Sequence, residues 1–278
     1  MIRDITLGQY YPGYSIMHKI DPRLKIVAVM LYIASLFIVK DFMGYVVVVI
    51  GLATVTAISK VPLRFILRGL KPILIIIIFT FTLNMLMTKG EILWEWKFLH
   101  ITKEGLYNAV FMALRLVFLI LGSSLLTLTT KPIKLTDGIE SLLKPLKRMG
   151  LPTHELAMMM TIALRFIPTL LEETDKIMKA QMARGADFET GSIFRRAKAL
   201  IPILVPLFIG AFRIAQDLAL AMEARCYRGG EGRTKLNALK LKRKDALAMV
   251  FIAVYLGIVI LERIFLIGLD AKIIALLF

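Results

Sequence analysis

The stretch "PILIIIIFTFTLNMLMT", residues 72–88, opens on an unbroken apolar run and carries no charge. As a helix it reaches about 25 Å, close to the hydrocarbon thickness of a bilayer. It has companions: "LKIVAVMLYIASLFIV" from Leu24 to Val39, "MGYVVVVIGLATVTAI" at 43–58, a run at about 106–128, and "ALAMVFIAVYLGIVILERIFLI" at about 246–267. The chain of 278 residues is 58% hydrophobic and only 20% charged, outside the range of ordinary soluble domains. Backbone groups in lipid find no water, so only helices or closed barrels span it. The runs are continuous rather than alternating, which favours helices over a barrel. The expected fold is therefore an all-α polytopic membrane protein with about five transmembrane helices. The first two spans are slightly short, so the bilayer thins there or flanking lysines snorkel.

Local signals mark the span ends. Asp21 suits a helix cap and Pro22 the first helical turn. Arg64, Arg68 and Lys71 recur at helical spacing beside Leu63, Phe65, Ile66 and Leu67, the pattern of a short interfacial helix. Residues 89–105 mix Lys, Glu and two Trp and read as an outer loop with interface anchors. The opening "MIRDITLGQYYPGYSIMHKIDPRLK" lacks the apolar core and small-residue cleavage site of a signal peptide, so no cleaved leader is expected.

The net charge is +16. No nucleic-acid reading motif accompanies it, so basic side chains against anionic headgroups explain it better, and no nucleic-acid partner is expected. Between Lys131 and Asp245 stand 21 Lys and Arg against 12 Asp and Glu, whereas 40–41 and 89–105 are nearly balanced. The positive-inside rule then gives a cytoplasmic N-terminus, five crossings and an external end. The expected division is 1–130, a membrane domain of four spans; 131–245, a cytoplasmic insert; and 246–278, a last span with a short apolar tail.

Within the insert no stretch is expected to stay apolar long enough for a simple span. A short helix around "KLTDGIESLLKPLKRMG" would be capped by Thr136 or Asp137 and ended by Gly150. Two long amphipathic helices follow, at about 153–184 and 192–227, the first starting at Thr153 with Glu155 close behind. Pro168 should kink or split one; Pro202 and Pro206 should bend the other. Both lie naturally along the membrane surface. Met158, Met159 and Met160 suit either an adaptable contact surface or ordinary packing.

Both long helices end alike, in "QMARG" at 181–185 and "MEARC" at 222–226, with Arg184 and Arg225 lying 41 positions apart. An arginine at a helix C-terminus interacts favourably with the last carbonyls, and Gly185 is a usual stop. The small flanks also leave each guanidinium free for a bidentate bond to a partner's carboxylate. Other chemistry is sparse. No phosphate-binding loop is present, and "GGEGRTK" at 229–235 has the wrong spacing for one. His18, His100 and His154 are scattered, Cys226 is the single cysteine, and neither catalytic nor metal-ligating residues are expected. Arg115 lies about 13 Å into the fourth span, where it either serves function or binds carbonyls.

The chain resembles the transmembrane T component of energy-coupling-factor transporters, the family that includes the cobalt-transport permease. The resemblance rests on "GQYYPGYSIMHKIDPRLK", "ALRLVFLILGSSLLTLTTKP" at 113–132, "LPTHELAMMMTIALRFIPTL" at 151–170, "AQMARG" at 180–185 and "LIPILVPLFIGAFRIAQDLALAMEAR" at 200–225. It implies a prokaryotic cell-membrane protein that joins two cytosolic ABC ATPases to a small substrate-binding membrane protein, the S component. The insert would be the coupling domain, and this chain would carry no cofactor and no catalysis. ATP and Mg would sit on the ATPases, and vitamins or metal ions would be the cargo. Each coupling helix of the family ends in an Ala-Arg-Gly motif that docks an ATPase groove, matched here by Ala183, Arg184, Gly185 and by Ala224, Arg225, Cys226. Cys226 replaces the second glycine, so a left-handed helix ending is less expected there. A secondary transporter would want internal repeats and midplane ionisable groups, and a passive membrane scaffold would need no chemistry at all.

Overall fold

The computed structural model describes residues 10–96, 99–150, 152–188, 192–229, 239 and 241–265. Most of the 229–235 turn, the tail beyond 265, and the side chains of Trp94, Trp96 and His100 lie outside the described residues. The helices are α1 (Ile16–Lys19), α2 (Pro22–Ile38), α3 (Phe42–Ser59), α4 (Leu63–Arg68), α5 (Leu74–Met87), α6 (Lys103–Thr129), α7 (Pro132–Leu143), α8 (Thr153–Ala183), α9 (Ile193–Ala224) and α10 (Arg243–Phe265). The segment read as an outer loop contains an antiparallel hairpin, β1 (Ile92–Trp96) with β2 (Leu99–Thr102). Aromatic and β-branched residues flanking two central positions favour that pairing over loop.

The chain divides into two compact units. One draws on Gly8–Gly138 and Leu239–Phe278, the other on Ile139–Ala238, so the last span belongs with the first four and the division falls inside α7. In the first unit Asp21 accepts from Arg23 N at 2.9 Å and Pro22 opens α2. Thr102 Oγ1 caps α6 by accepting from Gly105 N at 3.0 Å. The core gathers Leu36, Val39, Tyr45, Val48, Phe111 and Val259, with the Tyr45 and Phe111 rings stacked at 4.7 Å. Much apolar surface stays open: Ile75 is 77% and Phe79 63% exposed, as expected where lipid is the solvent. Leu63 and Leu67 of α4 are likewise exposed while Ile66 packs inward; Arg64 and Arg68 lie on the open side, and Lys71 falls in a following 3₁₀ turn.

Polar side chains tie these helices at backbone carbonyls. Tyr32 Oη donates to Phe118 O at 2.9 Å and Tyr45 Oη to Phe111 O at 3.1 Å. Lys25 Nζ donates to Thr129 O at 3.0 Å, at the C-terminus of α6. At the C-terminus of α2, Arg263 Nη1 donates to Ile38 O and Arg115 Nη2 to Val39 O, both at 3.1 Å. In lipid such a bond contributes about 0.6 kcal/mol on average. Close approach uses small residues as well, for the Tyr32 ring occupies the space a side chain on Gly122 would need.

Six stretches among the described residues are long and apolar enough to cross a membrane: 42–59, 63–87, 103–129, 153–183, 198–224 and 243–265. Two of them lie in α8 and α9, correcting the expectation that the insert holds no such stretch. Charges that dilute the insert's average gather in the second half of α8 and toward the ends of α9; between Ala199 and Ile214 the only charged residue is Arg213. Two added crossings in series would leave the orientation of every flanking span unchanged.

In the second unit, α8 and α9 pack against each other, and Gln181 Nε2 donates to Pro202 O at 3.4 Å. Neither helix is split: α8 runs unbroken through Pro168, and α9 through Pro202 and Pro206. α8 begins at Thr153 with Pro152 at its cap position, and His154 Nδ1 lies 3.2 Å from Glu140 Oε1. α7 starts earlier than expected, at Pro132, because proline is pre-set for a first turn. Thr136 and Asp137 are therefore interior rather than capping, and Thr136 Oγ1 donates back to Ile133 O at 2.7 Å. Gly150, at φ 86°, does close this segment.

Candidate functional site

Geometry makes the two similar strings the same structure. At the end of α8, Gly185 N donates to Met182 O at 2.9 Å and Ala186 N to Gln181 O at 3.0 Å. At the end of α9, Cys226 N donates to Glu223 O at 2.8 Å and Tyr227 N to Met222 O at 3.0 Å. Each pair is the two-bond Schellman closure, in which the two residues past the cap return to the last turn. Arg184 and Arg225 occupy the cap position in both.

The closure demands a left-handed residue directly after each arginine. Gly185 supplies it at φ 88°, and Cys226 adopts it at φ 55°. The glycine-to-cysteine replacement thus does not change the backbone, contrary to the expectation for a residue with a Cβ. Two hydrogen bonds hold the turn and offset a conformational cost of about 1 kcal/mol. Cys226→Gly should relieve that cost. Amide exchange at residues 226 and 227 is then expected to slow about fivefold, and unchanged exchange would contradict the strain. Gly185→Ala should do the reverse at the other end, although no atom lies within 4 Å of an added Cβ there.

Ala183, Arg184 and Gly185 are exposed, as are Ala224, Arg225 and Cys226. The two ends are not brought together. Gln181 and Pro202 mark where α8 meets α9, and Arg225 lies 23 residues beyond Pro202. At helical rise that is roughly 35 Å along α9, so the ends form two separate sites.

Between them α9 carries a row of apolar side chains. Ile201, Val205, Phe208 and Phe212 are 53%, 53%, 61% and 68% exposed, at spacings that share one helix face. Met159 and Met160 of α8 are also exposed, and Met158 is half-buried.

Arg115 sits twelve residues into α6, about 18 Å along it, because the helix starts at Lys103. Besides its bond to Val39 O, its guanidinium lies 4.9 Å from the Phe111 ring and 5.6 Å from that of Phe37. This is the carbonyl-binding arrangement, with cation–π contact added. Sequence reasoning passed over buried charged groups, among them Lys25 and Asp245, which are 4% and 2% exposed. Lys25 had a signal: it is a lone charge inside the first apolar run, like Arg115 in the fourth. Asp245 had less of one: it accepts from Lys242 N three residues away, but its buried partner, Asp21 N, is 224 positions distant. His18 hydrogen-bonds Ser15 Oγ at 2.7 Å and Tyr11 O at 3.0 Å. Among the described residues no group of three His, Cys, Asp or Glu is placed to hold a metal ion.

Comparison with known proteins follows the same lines. The CbiQ family, described as cobalt transport protein, matches residues 13–236. The energy-coupling factor transporter transmembrane protein EcfT of Clostridium kluyveri is 59% identical over 266 residues, covering 95% of this chain and 98% of its own length. Its counterpart in Acidaminococcus fermentans is 56% identical over 256 residues, with 92% and 96% covered. That of Bacillus subtilis is 48% identical over 264 residues, with 95% and 100% covered. By this full-length similarity and its helical membrane fold, the chain belongs to the CbiQ cobalt transport family, among the transmembrane T components of energy-coupling-factor transporters.

Proposed function

We propose that this chain couples two cytosolic ABC ATPases to a small substrate-binding membrane protein, driving uptake of a vitamin or a metal ion. The observation that carries the reading is the repeated helix ending: two exposed arginines in one backbone geometry, the second roughly 35 Å along α9 from the point where the end of α8 meets it. Two identical fittings that far apart suit two similar partners, one ATPase at each. A guanidinium on a fixed cap offers two parallel N–H donors to a carboxylate in each ATPase. ATP and Mg belong to those partners, and this chain contributes no catalytic group.

ATP-driven closure of the ATPase pair would draw the two arginine-tipped ends together. The packed α8–α9 pair would then shift, and the open row Ile201, Val205, Phe208, Phe212 is the surface through which an apolar partner would be moved. Cargo specificity would lie in that partner.

The test is reconstitution in proteoliposomes with the ATPases and candidate substrate-binding proteins of the same source. ATP-dependent accumulation of cargo is expected only when all components are present. Accumulation without ATP or without the ATPases would favour a secondary transporter. Stable assembly with no ATP-dependent uptake would favour a passive scaffold.

A further inference from the structure

Within the unit containing the spans, α1, α2, α3, α6 and α10 surround a cavity of about 420 Å³. Leu24, Val29, Leu52, Val55, Leu125 and Phe251 give it an apolar wall. Lys25 and Lys244 line one end, and Tyr32 and Tyr255 the other. From Lys244 to Tyr255 is eleven residues of α10, about 16 Å, or close to half the hydrocarbon thickness. The cavity is therefore one leaflet deep. By charge asymmetry its lysine end faces the cytoplasm.

Lys25 is unusual there. Its ammonium donates to Thr129 O at 3.0 Å and Thr130 Oγ1 at 3.1 Å, two of its three N–H groups. Ion pairs among the described residues involve other groups. A buried cation without a counter-ion costs several kcal/mol, so an anion at this end would be strongly favoured. The apolar space behind it needs an apolar filling. One acyl chain matches both the polarity and the one-leaflet depth of that space.

We propose that this cavity is a binding site for an anionic phospholipid of the inner leaflet. One acyl chain lies between α2, α3 and α10, and the headgroup phosphate pairs with Lys25 and Lys244. Basic pockets between spans on the cytoplasmic side are suited to such headgroups. The inference is independent of how the arginine ends are used.

The experiment is native mass spectrometry on the delipidated full-length chain, titrated with phosphatidylglycerol or phosphatidylcholine of identical chains. One phosphatidylglycerol should be retained at a concentration at least tenfold below that needed for phosphatidylcholine. Ala248→Phe, which fills the cavity wall, should abolish that preference, and Lys25→Met should weaken it about tenfold. Lys244→Gln, at an exposed position, should weaken it severalfold without disturbing a buried bond. Thermal melts confirm that each variant is folded. Equal retention of both lipids, retention of neither, or an unchanged preference in folded Ala248→Phe and Lys244→Gln overturns the site.

Discussion

Arg184→Glu combined with Arg225→Glu is expected to strip both ATPases from the detergent-solubilised complex. On the proposed docking, each substitution would set a second anion against the ATPase carboxylate that the arginine would pair with. Losing a desolvated charge pair costs about 2–5 kcal/mol, or roughly thirtyfold or more in affinity per site. Single reversals should weaken one site each, because the two ends are far apart and independently closed. Lysine should rescue only in part, since it lacks the planar two-donor fork. Neither reversal touches the helix ending itself: the closure uses backbone groups and both arginine side chains are exposed. Full retention of both ATPases by the folded double variant would make the arginines simple helix-end residues and move the interface elsewhere.

Asp245→Ala is the second large effect, and it acts on stability. Asp245 is 2% exposed, accepts Asp21 N at 2.9 Å through Oδ1, and accepts Lys242 N at 2.6 Å through Oδ2. One carboxylate thereby joins the start of α2 to the start of α10. Alanine leaves the buried Asp21 N–H without a partner, at about 1–3 kcal/mol, and also loses the part-buried bond from Lys242 N. An apparent melting point lower by roughly 5–10 °C is expected in detergent. Asp245→Asn should fall between, since its amide oxygen keeps one bond while its NH₂ faces a second donor. A melting point within a degree of the parent chain would show that the α2–α10 junction is held by packing alone.

The membrane class was legible because it rests on continuity. Residues 72–88 and their companions have no polar face, and every one of them becomes helix in the structure. Local chemistry was legible as well, in the Asp21 cap and the Gly150 stop. The length of α8 and α9 was harder to read, since flanking charges mask apolar middles and interior prolines suggest breaks that packed helices tolerate. The hairpin at 92–102 was hidden in a mixed stretch whose pairing is set by register rather than composition. The positive φ at Cys226 could not be read from its residue type, because the hydrogen bonds of the turn override the usual glycine preference. Which group each reaches across the fold, Lys25 to Thr129 and Asp245 to Asp21, leaves no local trace.

The most direct test uses the chain's own cysteine. Cys226 is free, exposed and next to Arg225, so a thiol-reactive maleimide should label it readily in the isolated chain. Labelling is followed by mass spectrometry of the peptide containing Cys226, with and without the ATPase pair bound. If the end of α9 docks into an ATPase, bound ATPases slow the reaction at least tenfold, and Arg225→Glu restores the free rate. Equal labelling rates in the isolated chain and in an intact ATPase complex would contradict docking at this helix end.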